Sequence, residues 1–226
     1  IVSHRTIDKI NILQATFKAM RKAILNLNQK PDKILVDGYA IPDKTIKNEG
    51  IIGGDNLIEC ISAASILAKV IRDEIMVNID KLFPEYGFAK HKGYGTKMHM
   101  ESIKINKASP IHRKSFRPVK ENLPTMEWVK DNNMLIKLGV QLTGLNYLKQ
   151  GYSILKINFK IDIYNFTVMK NNIVIFVKVL VNKEGNEKNA ISNYSKNEIK
   201  RLKDEVIKLN NEIDKTIKSK FEIVFI

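Results

Sequence analysis

Apolar side chains recur along the first 25 residues at steps of three and four, at Ile7, Ile10, Leu13, Phe17, Met20 and Ile24. Such spacing places them on one face of a helix, so we predict an amphipathic helix from about Thr6. A longer helical stretch covers residues 57–83. It contains the small residues Ala63, Ala64, Ser65 and Ala68, and we expect them to lie close against a sheet.

Two short apolar runs between these helices end in glycine and aspartate. Residues 31–38 read PDKILVDG, and residues 50–55 read GIIGGD. A short apolar run that stops at turn residues indicates a buried strand. We therefore predict strands that end near Asp37 and Asp55. After the second helix, a segment rich in glycine and lysine is predicted as loop as far as PIHRKSFRPVK at 110–120.

The pattern restarts after residues 121–133, a polar run with Pro124 that we interpret as a linker. A helix is predicted over about residues 131–150, with Gly151 as its stop. Strand-like runs follow at 152–161, 163–169 and 173–181. SKNE at 195–198 predicts a further helix start, and FEIVFI predicts a closing strand. That helix would carry an apolar stripe of Ile199, Leu202, Val206, Leu209 and Ile213.

Composition favours an anionic partner. The 226 residues carry a formal net charge of +14, and the sequence pI is 9.7. A polyphosphate backbone is the commonest ligand of so basic a chain, although a lysine-rich protein from an AT-rich genome has the same bulk charge. The single cysteine, Cys60, excludes an internal disulfide and fits a reducing cytoplasm; we expect it in the core. No apolar run approaches the roughly 20 residues of a membrane span, so no membrane partner is expected.

Asp37 and Asp55 each stand at a strand end beside glycine. Two acids at neighbouring strand ends repel each other unless a cation lies between them. Mg²⁺ needs only one or two carboxylates together with water and phosphate oxygens. The alternative is that both acids are turn formers or helix N-caps.

The segment from Tyr86 to Lys120 holds nine lysines and arginines against one acid, Glu101. An ordinary solvated face intersperses both signs of charge, so this imbalance favours an anion-binding role. Tyr94 stands in this segment between Gly93 and Gly95. Aromatic rings on basic loops stack on nucleic-acid bases or sugars, and we predict that Tyr94 faces nucleic acid.

Several motifs in order resemble the later part of bacterial ribonuclease HII, from Ile7 to about Lys120. They are IDKINILQATFKAM, ILVDG, GGD, ISAASILAKVIRDE, FPEYGFAKHKGYGT.MH and PIHRKSF.PVK. The resemblance implies an RNase H-like fold. It also implies cleavage of the RNA strand of RNA–DNA hybrids, and cleavage 5′ to single ribonucleotides in duplex DNA.

The resemblance also implies roles for particular residues. Asp37 and Asp55 match the third and fourth of four catalytic carboxylates, which hold two metal ions, Mg²⁺ or Mn²⁺. Tyr94 matches a tyrosine that packs on the deoxyribose after the ribonucleotide, and Lys92 and Gly93 share its motif as substrate-binding residues. Four further motif residues are assigned phosphate-binding or site-support roles: Ser65, Lys69, His112 and Arg113. Asp73 is better explained by a local ion pair with Arg72.

The chain departs from the family pattern twice. The family opens with a strand that carries an Asp-Glu pair and with a Gly-Arg-Gly loop, and this chain begins after both, as if it were the back part of something longer. The pair supplies the other two metal ligands. In addition, the residue two before Asp55 is usually lysine, and here it is Gly53.

Residues 134–226 resemble a small family of predicted nucleases of the PD-(D/E)XK superfamily. The order of predicted helices and strands agrees with that family, but the residues at its catalytic positions differ. Val140 and Lys178 replace glutamates, Asn165 replaces an aspartate and Leu180 replaces a lysine. Asp162 remains nearby, but a single carboxylate is more often structural. The resemblance implies a catalytically dead module, retained for nucleic-acid binding.

The sequence thus predicts an α/β protein with three parts. Residues 1–120 form a partial RNase H-like domain, 121–133 a linker, and 134–226 a small restriction-endonuclease-like α/β domain of order α-β-β-β-α-β. Three functions stay open: a metal-dependent endoribonuclease whose fragment is inactive alone, a non-catalytic remnant that binds nucleic acid, and a C-terminal domain that is itself a DNA nuclease. The expected partner is an RNA–DNA hybrid or ribonucleotide-containing duplex DNA, and no protein partner can be inferred.

Overall fold

The computed structural model describes residues 1–159, 164–181 and 218–226, together with Asn197, Lys200, Asp204, Ile207 and Lys208. Apart from Asn197, the predicted helix start at 195–198, its apolar stripe and Asp162 lie outside these residues. The chain divides into two compact units. The first comprises residues 1–75 and 103–123, and the second comprises residues 76–102 and 124–226. No helix in the described part is long and apolar enough to cross a membrane.

The first unit opens with helix α1 (His4–Leu25), as the apolar spacing predicts. Its path is broken at Asn11, which has φ 64° and ψ 171°. The Asn11 side chain then accepts a hydrogen bond from the Gln14 amide at 3.1 Å, and so caps the longer part of the helix. In that part Phe17 packs on Val36 and Ile41 and forms a small core.

Both predicted strands are present and short. Strand β1 (Leu35–Asp37) and strand β2 (Glu49–Ile51) pair in parallel, with Asp37 opposite Ile51. The short helix α2 (Gly54–Leu57) follows, and then the long helix α3 (Glu59–Leu82). A mixed α/β fold is therefore confirmed for this part of the chain.

The predicted packing of α3 against a sheet is wrong. Ala63, Ala64, Ser65 and Ala68 are exposed, as are the larger Leu67 and Val70 on the same helix. The reason is the size of the sheet, because two strands of three residues each bury little surface. Cys60, expected in the core, is exposed in the first turn of the same helix.

The segments predicted as loop and linker are largely helical. A 3₁₀ turn (Pro84–Tyr86) leads to α4 (Phe88–His91), α5 (Lys97–Asn106), α6 (Arg117–Lys120) and α7 (Met126–Asp131). Thr125 caps α7 by accepting a hydrogen bond from the Trp128 amide at 3.1 Å, and Val129 within it is buried. These helices were not predicted because each is short and bounded by turns, and because the segment is rich in glycine and lysine.

The second unit contains the four-stranded sheet and helix α8 (Leu135–Lys149). Its strands are β3 (Ser153–Ile157), β4 (Phe166–Lys170), β5 (Ile173–Leu180) and β6 (Lys218–Phe225), hydrogen-bonded in that order. The first three run antiparallel, and β6 pairs with β5 in parallel. Helix α8 packs on β3, β4 and β5, and Gly151 (φ 83°) follows its C-cap as predicted.

Candidate functional site

The turn that follows β2 brings the Gly54 amide, one residue before Asp55, to Asp37. The Gly54 amide donates a hydrogen bond to Asp37 Oδ1 at 2.9 Å, and Asp55 is the next residue along the chain. Asp55 lies exposed in the first turn of α2, and its Oδ1 accepts a hydrogen bond of 3.2 Å from the Asn56 side chain. Each carboxylate thus keeps its Oδ2 without a hydrogen-bond partner among the described residues.

Two partly engaged carboxylates suit a hard divalent cation. Mg²⁺ takes one or two carboxylates and completes its shell with water and phosphate oxygens, so this donor set fits it. The described part of the chain contains no group of three or more histidine, cysteine, aspartate and glutamate side chains that could hold a metal ion. Among the described residues, this turn therefore offers at most two carboxylate ligands to a metal ion.

Gly53 occupies the position where the resemblance expects lysine. Its φ is +64°, in the left-handed region that favours glycine. A Cβ added there would meet nothing within 4 Å. The local backbone thus suits glycine, whereas the surrounding space would admit a side chain.

Ser65, Lys69 and Asp73 share one face of α3, since they are spaced by four residues. Lys69 Nζ bonds Asp73 Oδ2 at 2.7 Å, and Arg72 lies 3.7 Å from the other carboxylate oxygen. The local ion pair predicted for Asp73 is present, although its nearer partner is Lys69. Ser65 and Lys69 are both exposed.

His112 is buried, and its side chain bonds to Ser109 in its own loop. Its Nδ1 accepts hydrogen bonds from the Ser109 amide at 3.0 Å and from the Ser109 hydroxyl at 2.7 Å. Arg113 beside it is half-buried, with its guanidinium 5.4 Å from the centre of the Phe116 ring. His112 therefore shapes the loop that carries Arg113.

Asp8, which sequence reasoning did not single out, holds the far side of this loop. Its carboxylate accepts hydrogen bonds from the Lys114 amide (2.9 Å), the Ser115 amide (3.0 Å) and the Ser115 hydroxyl (2.6 Å). Burial alone would raise the pKa of Asp8, but the bonds from Ser115 and Lys114 and the charge of His4 lower it overall. Asp8 and Ser115 both belong to motifs of the family resemblance, but only the fold shows that their side chains are hydrogen-bonded to each other.

Lys92, Gly93 and Tyr94 lie together in a loop of the second unit. Tyr94 is 60% exposed. Gly93 has φ +82°, and an added Cβ would lie 3.2 Å from the Met76 methyl group. Lys92 donates from its ammonium to the Ala89 carbonyl at 2.5 Å and ends α4. This loop and the carboxylate pair belong to different units.

The four altered positions of the second unit are buried. Asn165 is 1% exposed, and its Oδ1 accepts a hydrogen bond of 2.8 Å from the Val179 amide. Val140, Lys178 and Leu180 are buried as well. All four are therefore interior residues of the second unit.

The described part of the chain thus combines an acidic turn after β2 with basic helical loops on a mixed α/β framework. The profile of the family described as Ribonuclease HII matches residues 1–119. Ribonuclease HII of Shewanella loihica is 52% identical over 120 residues, which cover 52% of this chain and 58% of that protein. Ribonuclease HII of Francisella tularensis subsp. tularensis is 54% identical over 118 residues, covering 52% of this chain and 63% of that protein.

The chain belongs to the ribonuclease HII family through its residues 1–119. It spans about 58% to 63% of the length of the curated relatives named here. The family relationship covers Asp37, Asp55 and the Tyr94 loop, and it does not extend to α8 or the four-stranded sheet.

Proposed function

We propose that this chain carries part of a metal-dependent endoribonuclease of the ribonuclease HII type. The substrate is the RNA strand of an RNA–DNA hybrid, or duplex DNA with an embedded ribonucleotide, in the cytoplasm. The supporting observation is the hydrogen bond from Gly54, the residue before Asp55, to Asp37 at the end of β1. The match of residues 1–119 to the family supports the assignment of activity.

In the proposed reaction, Asp37 and Asp55 contribute two negatively charged oxygen ligands for Mg²⁺ or Mn²⁺. Such ions, when bound, activate water and stabilise the leaving 3′-oxygen in phosphodiester hydrolysis. Lys69 and Ser65 offer a cation and a hydroxyl on the exposed face of α3 to phosphate oxygens. Arg113 adds a further cation, and His112 supports its loop.

Tyr94 would contribute a stacking surface for the sugar next to the ribonucleotide. Its exposed ring and the neighbouring Lys90, Lys92 and Lys97 combine an aromatic face with positive charge. The lysines add a salt-dependent attraction to phosphate.

The 226 residues hold two of the four carboxylates that the resemblance implies, so we propose that this polypeptide alone cuts little or nothing. The test is a duplex DNA with one ribonucleotide, incubated with Mg²⁺ or Mn²⁺. We expect tighter binding of this duplex than of the all-DNA duplex, with no appreciable cleavage. Robust turnover would overturn the proposed inactivity, and equal binding of both duplexes would remove the ribonucleotide from the proposal.

The second candidate is a binding module that holds hybrid or duplex nucleic acid without cutting it. The formal net charge of +14 supports this function, because a basic chain attracts a polyphosphate backbone. An extended polypeptide that supplies the upstream Asp-Glu pair separates the two candidates. Metal-dependent cleavage by that polypeptide supports the enzyme, and intact substrate at saturating metal supports the binding module.

A further inference from the structure

The Tyr94 ring is exposed, but its backbone is held tightly. The Tyr94 amide donates to the His91 carbonyl at 2.9 Å. The Tyr94 carbonyl accepts two hydrogen bonds, from the Thr96 amide at 2.9 Å and from His99 Nδ1 at 3.0 Å. The Gly93 amide donates to His91 Nδ1 at 3.1 Å. Two histidine side chains therefore bind the main chain on either side of the tyrosine.

These two imidazoles form one buried stack. The rings of His91 and His99 lie 4.3 Å apart at 15°, and the ring of Phe88 meets both edge-on at 5.7 Å and 5.3 Å. Both histidines are buried. The stack gives the loop a firm base, whereas a loop rich in glycine would otherwise sample many conformations.

The hydrogen bonds fix one tautomer for His91 and one ring orientation for His99. His91 Nδ1 accepts from Gly93, so its Nε2 carries the hydrogen that is donated to the Tyr86 carbonyl at 2.7 Å. His99 must carry hydrogen on Nδ1, because the Tyr94 carbonyl can only accept. Burial lowers the pKa of His99 and outweighs its hydrogen bond to the Tyr94 carbonyl, which acts in the opposite direction.

We propose that His91 and His99 are positioning residues that hold the backbone of Tyr94, so that its ring stands ready to stack on a nucleic-acid strand. The inference rests on the proposed function, which makes Tyr94 a substrate contact. Neither histidine touches the ligand; each acts through the loop. If the backbone of Tyr94 is already ordered in the free protein, the conformational entropy of ordering it is not lost on binding. Fixing one residue corresponds to a change in affinity on the order of tenfold.

The first test is a double-mutant cycle on a fluorescent duplex with one ribonucleotide, followed by anisotropy at fixed salt. The variants are His99→Phe, which keeps the ring stack and loses the hydrogen bond, Tyr94→Ala, and the two together. We expect each single variant to bind about tenfold more weakly, and the double variant to bind no worse than Tyr94→Ala alone. An additive loss in the double variant would mean that His99 acts independently of Tyr94, and would overturn the proposal.

Two further variants control for folding. His99→Asn places an amide N–H near the position of Nδ1, and we expect it to recover much of the affinity that His99→Phe loses. Gln29→Ala alters an exposed side chain after α1, away from this loop in sequence and in unit, and should bind like the unmodified chain. Equal affinity of folded His99→Phe and the unmodified chain would contradict the inference.

The second test needs no nucleic acid. Hydrogen exchange of the Tyr94 and Thr96 amides, measured by NMR, reports whether the loop opens. We expect faster exchange at both amides in His91→Phe and His99→Phe, and unchanged exchange in Gln29→Ala. If Tyr94→Ala binds the duplex normally, the proposed contact of Tyr94 is wrong and this measurement alone decides the positioning inference. Unchanged protection in both phenylalanine variants would overturn it.

Discussion

The Gly54 amide donates a 2.9 Å hydrogen bond to Asp37 Oδ1, across 17 residues of sequence. This bond joins the end of β1 to the start of α2 and fixes the direction of the Asp37 carboxylate. The remaining oxygen, Oδ2, has no hydrogen-bond partner among the described residues. The relationship makes Asp37 more than a turn former, since a turn aspartate would bond its own neighbours.

Replacing Asp37 with asparagine tests its part in cation binding. The amide oxygen of Asp37→Asn can still accept from Gly54, so we expect a folded variant with little loss of stability. Removal of one negative ligand should weaken Mn²⁺ binding by about tenfold or more, because ligand charge sets affinity at such sites. Isothermal titration with Mn²⁺ measures the effect. Asp32→Asn, at an exposed aspartate, is the matched control, and equal weakening in both variants would exclude a specific site.

Gly53→Lys restores the residue that the family resemblance expects. The new side chain would enter open space, but the φ of +64° disfavours any residue with a Cβ. The strain is about 1–2 kcal/mol, although Lys92 and Lys107 already adopt positive φ in this chain. We expect the Tm to fall by about 2–4 °C for each kcal/mol, and the salt dependence of duplex binding to steepen.

The matched variant Gly53→Ala separates charge from strain. It introduces the same backbone strain without a cation, so it should lose a similar amount of stability and keep the original salt dependence. If Gly53→Lys binds the duplex no differently from Gly53→Ala at low salt, the position lies away from the phosphate backbone.

Asp8 should make the stability of the first unit sensitive to acid. Its pKa is lowered in the fold, so its contribution is present above the pKa of the unfolded chain and is lost as the pH falls through the folded pKa. We expect Asp8→Ala to be less stable than the unmodified chain at pH 7, with the difference shrinking below about pH 4. Urea unfolding at both pH values measures this. Ser115→Ala, which removes one of the three donors, should show a smaller effect of the same sign.

The sequence predicted local structure better than packing. Helix α1, both short strands, α8 with its Gly151 stop and the strands around NFTVMKNN follow from apolar period and turn residues. The exposed face of α3 could not be predicted, because Ala63 and Leu67 have a pattern typical of burial whether or not a sheet is there to cover them. The break at Asn11 was also missed, since an asparagine within an amphipathic pattern gives no sign of its φ.

Some residues of the candidate site could be predicted from the sequence, whereas the contacts that support them could not. Asp37, Asp55 and Tyr94 were found from residue type beside glycine, which is a local signal. Asp8 and Ser115 are 107 residues apart in sequence, so only the fold reveals their hydrogen bonds. His91 and His99 stood within a quoted motif, but their ring stack depends on how α4 and α5 turn, and no spacing rule gave it.

Asn165 provides the final prediction, on the second unit. Asn165→Asp would restore the acid that the resembled nuclease family has at this position, but the side chain is 1% exposed and its oxygen already accepts from the Val179 amide. A carboxylate buried there loses hydration, and its pKa should rise. We therefore expect a loss of at least about 1–3 kcal/mol in the free energy of unfolding at pH 7, with no gain of Mg²⁺ binding. Because the raised pKa favours the neutral acid, the loss of stability should diminish as the pH falls through that pKa.

Urea unfolding at pH 7 and pH 4 measures the loss of stability, with Asn146→Asp on α8 as an exposed control. A stable variant that binds Mg²⁺ would show that the site retains the geometry of a nuclease.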